Sequence, residues 1–252
     1  MPTILVTGGG RGIGRAIALA FAEPGSHVAI AARTRAQLDE TAAAIRRGGA
    51  EPVPIVMDVT DAQAVESAFA TLRAASPRLD VLVNNAGVGG GLPVHKTDLE
   101  SWRRILDTNV WGTFLVTRQA VPLMGDGGRV INISSVLGRF GVPGYTAYCA
   151  SKHAVIGFTR ALALELVGRH ITVNAICPGW VDTEMAAQGM QLGAGAMGIT
   201  FDAFKKQAMA RVPIGRMIQP DEVAHIVKFL ASPQASAITG QTYNICGGQT
   251  MD

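Results

Sequence analysis

The stretch TILVTGGGRGIG, residues 3–14, joins a short apolar run to a cluster of glycines, and a helical pattern follows it. Glycine lets the backbone come close to a bound group, and the free N–H groups at the amino end of a helix favour an anion. The stretch therefore predicts a strand, a turn that binds a pyrophosphate, and a helix, at the start of an α/β fold. A plain tight turn is the competing interpretation.

Short apolar runs alternate with longer helical patterns along the rest of the chain. Strands are predicted at residues 3–6, 28–31, 53–57, 81–83, 130–133, 171–176 and 242–245. Helices are predicted at residues 12–22, 35–47, 62–74, 99–124, 146–166 and 221–230. Several strands are apolar throughout, as expected when both faces of a parallel sheet are covered. The pattern predicts one Rossmann-type α/β domain over residues 1–252, a doubly wound parallel sheet of seven strands with helices on both faces.

Composition narrows the class of protein. The 252 residues are 48% hydrophobic and 16% charged, the opposite of a disordered chain, and the net charge is +3. The sequence has no dense basic run of the kind that binds nucleic acid. It also has no apolar run of ~18 residues that could span a membrane and no signal peptide, so we expect a cytoplasmic protein. The three cysteines read as buried free thiols, and neither they nor the five histidines have metal-ligand spacing, so no metal is predicted.

Residues 184–212 interrupt the strand–helix rhythm. Four glycines fall between residues 189 and 198, and an amphipathic segment follows near residues 201–210. An insertion placed late in a doubly wound fold is well situated to cover the site, so we predict a substrate lid at residues 184–212.

Four motifs together resemble the short-chain dehydrogenase/reductase family. They are the Thr-Gly-x-x-x-Gly-x-Gly turn at residues 7–14, Asn-Asn-Ala-Gly at 84–87, Tyr-x-x-x-Lys at 148–152 and Pro178-Gly179. They occur in the family's order and span essentially the whole chain. The resemblance implies direct hydride transfer between a nicotinamide cofactor and a carbonyl or alcohol, with no metal.

The resemblance implies a catalytic set of Asn109, Ser135, Tyr148 and Lys152. Tyr148 and Lys152 are four residues apart in a helical pattern and so lie on one face. We expect the ammonium to lower the pKa of the phenol, which then serves as general acid in reduction and general base in oxidation. Ser135 would orient the substrate carbonyl, with Ser134 as the competitor. Asn109 would hold a water linking the lysine to solvent, or be a buried structural amide.

The end of the second predicted strand indicates the cofactor. NAD-selective enzymes of this fold place an acid there, whereas this chain has Ala32 followed by Arg33, and Arg11 offers a second cation. Cations suit the 2′-phosphate of NADP(H), and two solvated surface arginines with NAD are the alternative. Asp58 would line the adenine site or else cap a helix. The positions implied for the cofactor are Gly8, Arg11, Gly12, Ile13, Gly14, Arg33, Asp58, Val59, Asn85, Ala86, Gly87, Tyr148, Lys152, Pro178, Gly179, Val181 and Thr183.

The substrate is indicated more loosely. Residues 89–91, 177–179, 211–216 and 244–248 are similar to 3-oxoacyl-carrier-protein reductases and aromatic-polyketide ketoreductases. Arg169 matches one basic docking position of the carrier-protein enzymes, but Asp126 stands at the other, which argues against a carrier partner. A CoA thioester, a free cyclic ketone and an aliphatic secondary alcohol stay open. We predict an adaptable apolar pocket for the substrate, lined by Tyr145, Met185, Met190 and Met197. Ordinary core or surface packing of these side chains is the alternative.

Two further alternatives stay open at this point. One is an NAD-dependent secondary-alcohol dehydrogenase, and the other is a regulator that senses NADP(H) without turnover. The resemblance also implies a homotetramer with interfaces on the helices at residues 99–124 and 146–166, although large apolar helices are equally typical of a core.

Overall fold

A seven-stranded parallel sheet runs through the centre of the computed structural model, which describes residues 1–251. The strands are β1 (Thr3–Thr7), β2 (His27–Ala32), β3 (Glu51–Val56), β4 (Leu79–Asn84), β5 (Met124–Ile133), β6 (Thr172–Pro178) and β7 (Thr242–Ile245). The helices are α1 (Gly12–Ala20), α2 (Arg35–Arg47), α3 (Ala62–Ala75), α4 (Leu99–Leu106), α5 (Gly112–Ala120), α6 (Thr146–Leu166), α7 (Glu184–Met197), α8 (Phe201–Met209) and α9 (Pro220–Ala231). The predicted fold class is confirmed.

The strand order is β3-β2-β1-β4-β5-β6-β7, so the direction of winding reverses between β1 and β4. Ligands of open α/β sheets bind in the crevice at the carboxyl ends of the strands at such a reversal. Every residue of β1 and β6 is buried. One core packs α1, α2 and α9 against the sheet around Ile17 and Val227, and the other packs α3, α5 and α6 around Phe69 and Leu115.

The single helix predicted at residues 99–124 is wrong in detail. A π-helical turn at Asp107–Trp111 separates α4 from α5, and a 3₁₀ turn at Val121–Leu123 that contains a proline ends the run. Met124 already belongs to β5, where it pairs with Leu79. A bulge over residues 125–128 then interrupts the pairing until Arg129. The strand therefore begins at Met124, six residues before the predicted start at residue 130, and its first half contains the bulge.

The stretch predicted as a lid folds into α7 and α8. Gly198 joins them in the left-handed conformation (φ +64°) and ends α7. The two helices pack closely, because a Cβ on Gly193 would lie 2.4 Å from the Phe204 ring. The amphipathic segment expected near residues 201–210 is α8.

Three simple features complete the description of residues 1–251. The thiols of Cys149, Cys177 and Cys246 are free and buried, as expected. Within these residues, no group of three or more His, Cys, Asp or Glu side chains is placed to hold a metal ion. None of the helices described is both long and apolar enough to cross a bilayer.

Candidate active site

The glycine turn between β1 and α1 forms a cradle that side chains would fill. Gly8 and Gly12 have φ angles of +65° and +54°, and a Cβ on Gly14 would lie 2.2 Å from the carbonyl oxygen of Gly8. The Gly8 N–H donates to the carbonyl of Ala31 at 2.7 Å, which fastens the turn to β2. No side chain caps the amino end of α1. Its N–H groups are therefore available to a pyrophosphate, and the residues fit that group.

The loop after β4 is fastened to this turn through Thr7. The Thr7 hydroxyl accepts from the backbone N–H groups of Asn85 and Ala86, both at 3.0 Å. The Asn85 side chain donates to the carbonyls of Thr7 (2.9 Å) and Gly8 (3.3 Å). Asn85 and Ala86 therefore hold the two loops together at the reversal of the sheet. Thr7 was missed as a functional position, although it opens the glycine motif.

Arg33 extends into solvent at the end of β2, with its guanidinium 3.8 Å from the Asp58 carboxylate. Asp58 also accepts from the backbone N–H and hydroxyl of Thr60, at 2.9 and 2.8 Å. Burial raises the pKa of Asp58, but these hydrogen bonds and the Arg33 charge outweigh it, so the pKa is lowered overall. Asp61, not Asp58, caps α3.

The other predicted cofactor positions border the same crevice or pack beneath it. Val59 is buried against Gly112, whose Cβ would lie 2.6 Å from it. Val181 is buried and bridges to Ile218 after β6 ends at Pro178. Ile13, in the first turn of α1, packs partly against the core, Gly179 lies close to Cys246, and Thr183 lies beside Gly12.

The catalytic side chains predicted on α6 meet the end of β5. Lys152 is only 5% exposed, and its ammonium donates to the carbonyl of Ile133 at 2.9 Å and lies 5.7 Å from the centre of the Tyr148 ring. The Ser135 side chain lies close enough to the Tyr148 hydroxyl to lower the pKa of that group, against the larger effect of burial. Ser134 points the other way and donates to the carbonyl of Lys152 at 2.9 Å. The geometry therefore favours Ser135 over its neighbour as the substrate-facing serine.

Burial controls the ionisation of this centre. Desolvation raises the pKa of Tyr148 to about 12, although the Ser135 hydrogen bond opposes the shift, and desolvation lowers the pKa of Lys152 to about 8. The expected lowering of the phenol pKa by the ammonium is wrong, because desolvation is the largest effect and raises that pKa. Tyr148 is a neutral phenol at neutral pH, while Lys152 is mostly charged.

Asn109 lies in the π-helical turn with its side chain fully engaged. Its amide oxygen accepts from the Val88 N–H (2.9 Å), and its NH₂ donates to the Val88 carbonyl and the Ser151 hydroxyl, both at 3.0 Å. Ser151 in turn donates to the Tyr148 carbonyl at 2.8 Å. The side chain is thus a buried structural amide, and the predicted water relay stays a prediction. Ser151, inside the Tyr–Lys motif, was missed.

The residues predicted for an apolar pocket differ in their exposure to solvent. The Tyr145 ring is partly buried and lies close to Gly91, whose Cβ would be 3.0 Å from it. Met190 is buried, whereas Met185 and Met197 are exposed on α7. Tyr145 therefore faces the loop after β4, whereas Met185 and Met197 are 46% and 57% exposed.

The chain is similar to known proteins over nearly its whole length. A family model described as enoyl-(acyl carrier protein) reductase matches residues 8–250. A monensin polyketide synthase putative ketoacyl reductase from Streptomyces virginiae is 42% identical, covering 97% of this chain and 95% of the relative. A 3-oxoacyl-[acyl-carrier-protein] reductase from Synechocystis is 39% identical, with 98% and 96% covered.

Solved structures are also similar to this chain over nearly its whole length. An actinorhodin polyketide ketoreductase variant with NADPH superposes with a TM-score of 0.95 at 40% identity, covering 98% of this chain and 97% of that one. An NAD⁺-bound xylitol dehydrogenase superposes with a TM-score of 0.93 at 32% identity, covering 98% of each chain. With the motifs and the strand order, these matches establish that the chain belongs to the short-chain dehydrogenase/reductase family.

Proposed function

We propose that this protein is an NADP(H)-dependent ketoreductase that converts the ketone of a 3-oxoacyl or polyketide-like substrate into a secondary alcohol. The observation that carries the proposal is that the half-buried Tyr148 meets the buried side chains of Ser135 and Lys152 at the end of β5. Relatives named as ketoacyl reductases support this class of substrate.

The cofactor is proposed to lie across the reversal of the sheet. Gly8, Gly12 and Gly14 would hold its pyrophosphate at the amino end of α1. Arg11 and Arg33 would hold the 2′-phosphate, since no acid ends β2. When bound, NADP(H) supplies the hydride that adds to the carbonyl carbon. The actinorhodin ketoreductase with NADPH supports this choice.

The protein's own residues supply orientation and the proton. Ser135 would donate a hydrogen bond to the substrate oxygen, and the neutral Tyr148 phenol would give its proton to that oxygen as negative charge develops. The carbon gains a hydride, the oxygen gains a proton, and a phenolate is left for solvent to reprotonate. The Lys152 ammonium, charged below about pH 8, would stabilise that phenolate. Burial keeps the phenol protonated at neutral pH, as a proton donor must be, but it also makes the phenol a weaker acid, so the nearby positive charge is needed for proton release.

Arg169 gives no support to a carrier-protein partner. Its guanidinium donates to the backbone carbonyls of Val121 (3.2 Å) and Met124, and it lies 3.9 Å from the Asp126 carboxylate. These contacts close the bulged start of β5, so the cation is already engaged within the fold. We therefore propose a CoA-linked or free ketone as the substrate.

NAD-dependent oxidation of a secondary alcohol is the second candidate. Both Arg11 and Arg33 face a carboxylate, which reduces the positive charge offered to a 2′-phosphate. The similar structure of an NAD⁺-bound xylitol dehydrogenase supports this candidate. Comparing the two cofactors decides between the candidates.

The first test is oxidation of NADPH and NADH, followed at about 340 nm where the reduced cofactor absorbs. The panel holds a 3-oxoacyl thioester, a 3-oxoester, a cyclic ketone and a bicyclic diketone. We expect turnover with NADPH and a loss of roughly 10²–10⁴-fold in Tyr148→Phe with cofactor binding retained, because only the donated proton is removed. Substantial residual turnover in Tyr148→Phe would remove the tyrosine from this role. A protein that binds cofactor but turns over no ketone or alcohol would instead be a sensor.

A homotetramer is proposed from the outer surfaces of the α4–α5 segment and α6. Trp111 and Phe114 are exposed, and their ring centres lie 5.3 Å apart, while Leu164 is exposed on α6. Apolar side chains grouped on a surface are typical of an interface. Light scattering on the purified protein should give four times the mass of 26.3 kDa. A monomer would contradict the proposal.

A further inference from the structure

We propose that Glu184 is a specificity-determining residue, which competes with the 2′-phosphate of the cofactor for Arg11. The inference rests on the proposed use of NADP(H). Arg11 directly precedes α1, and its guanidinium forms an ion pair with the Glu184 carboxylate, 173 residues further along the chain. One of the two cations offered to the phosphate is therefore already neutralised.

The position of Glu184 is fixed by the backbone around it. Glu184 is the first residue of α7, and the preceding Thr183 caps that helix by accepting from the Ala186 N–H at 3.3 Å. The methyl group of Thr183 lies 3.4 Å from where a Cβ on Gly12 would be. The base of α7 thus packs against the glycine turn, and this contact holds the carboxylate beside Arg11.

The ion pair between Arg11 and Glu184 can be replaced readily by one between Arg11 and a phosphate. The side chains of Arg11 and Glu184 are 58% and 62% exposed, so solvent screens their attraction. Glu184 keeps favourable surroundings without Arg11, because it lies at the positive amino end of α7 and accepts from the Gln188 side chain at 3.4 Å. A phosphate offers Arg11 more charge and two oxygens at once, so it displaces the carboxylate.

The ion pair of the other cation is looser. Arg33 lies 3.8 Å from Asp58, whose carboxylate is held by two hydrogen bonds from Thr60. Glu184 is therefore the stronger competitor of the two carboxylates. Removing its charge should strengthen the binding of nucleotides that carry a 2′-phosphate and leave other nucleotides unaffected.

The experiment is calorimetric titration of the cofactor-free protein with 2′,5′-ADP and with 5′-AMP, which differ only in the 2′-phosphate. We expect Glu184→Gln to bind 2′,5′-ADP roughly two- to fivefold more tightly than the wild type, in line with the strength of an exposed ion pair, and 5′-AMP equally well. Asp182→Asn is the matched control. It removes an exposed carboxylate two residues away and should change neither affinity.

The same titrations in the Arg11→Ala background test whether Glu184 acts on phosphate binding through Arg11. Glu184→Gln should have no effect on 2′,5′-ADP binding in that background, and a gain that persists there would overturn the competition for Arg11. Unchanged or weaker 2′,5′-ADP binding by Glu184→Gln, in a protein that still prefers 2′,5′-ADP to 5′-AMP, would overturn this inference alone. A wild type without that preference would overturn the proposed use of NADP(H) as well.

Discussion

The catalytic centre at Ser135, Tyr148 and Lys152 differs from the proposed phosphate-binding rim in how its charged groups are held. The rim consists of Arg11 and Arg33 with their partners Glu184 and Asp58. Lys152 is almost fully buried and has a backbone carbonyl, not a carboxylate, as its partner. Arg11 and Arg33 extend into solvent, and each faces a carboxylate. Buried polar contacts are costly to rearrange, whereas exposed ion pairs contribute little and exchange readily. The difference suggests a fixed site for chemistry beside an adjustable site for cofactor choice.

Hydrogen bonding follows the same division. Asn109, Ser151 and the Tyr148 backbone form a buried chain in which the Asn109 amide and the Ser151 hydroxyl are satisfied. Losing one member would leave another buried group without a partner. At the rim, Glu184 and Asp58 each have a second partner besides the arginine. We therefore expect the centre to tolerate fewer substitutions than the rim.

The largest expected effect comes from removing the buried ammonium. Lys152→Met should lower turnover in ketone reduction by roughly 10²–10⁴-fold, because the phenolate left by proton donation loses its stabilising charge. The lysine is charged below its pKa, so wild-type turnover should fall as the pH rises through about 8. Tyr148 keeps its proton until about pH 12 and does not cause this fall. Turnover as a function of pH measures both effects.

The control for this prediction is Lys228→Met, which removes an exposed ammonium on α9 that pairs with Glu23. Its pH profile should match the wild type. The fall above pH 8 should be absent in Lys152→Met, and thermal unfolding checks that this variant is folded. If Lys152→Met keeps the same fall, another group sets the pH dependence and the contrast between centre and rim loses its main support.

Much of the centre could be predicted from the sequence, because helical spacing alone places Tyr148 and Lys152 on one face. The order of the family's motifs added Asn109 and Ser135. The raised pKa of Tyr148 could not be predicted, since desolvation depends on how α6 packs against β5. The link through Ser151 likewise depends on the π-helical turn, which no spacing rule indicated.

At the rim, the arginines could be predicted and their partners could not. Arg33 follows a recognisable strand, and Arg11 lies inside a recognisable motif. Glu184 reaches Arg11 only because the chain returns after β6 and starts α7 beside the glycine turn. Such contacts between distant segments depend on the topology of the fold, so they cannot be predicted from local sequence patterns.

A smaller effect than at the catalytic centre is expected at the rim. Arg33→Ala should raise the KM for NADPH roughly tenfold, about 1.4 kcal/mol, and change the KM for NADH less than about twofold, because only NADPH carries the 2′-phosphate. Steady-state kinetics with both cofactors measures this. Arg35→Ala is the matched control, since Arg35 is exposed two residues away and pairs with Asp39 within α2. Equal losses for both cofactors in Arg33→Ala would mean that Arg33 attracts anions in general and does not distinguish cofactors by their 2′-phosphate. Residues elsewhere in the crevice would then have to select the cofactor.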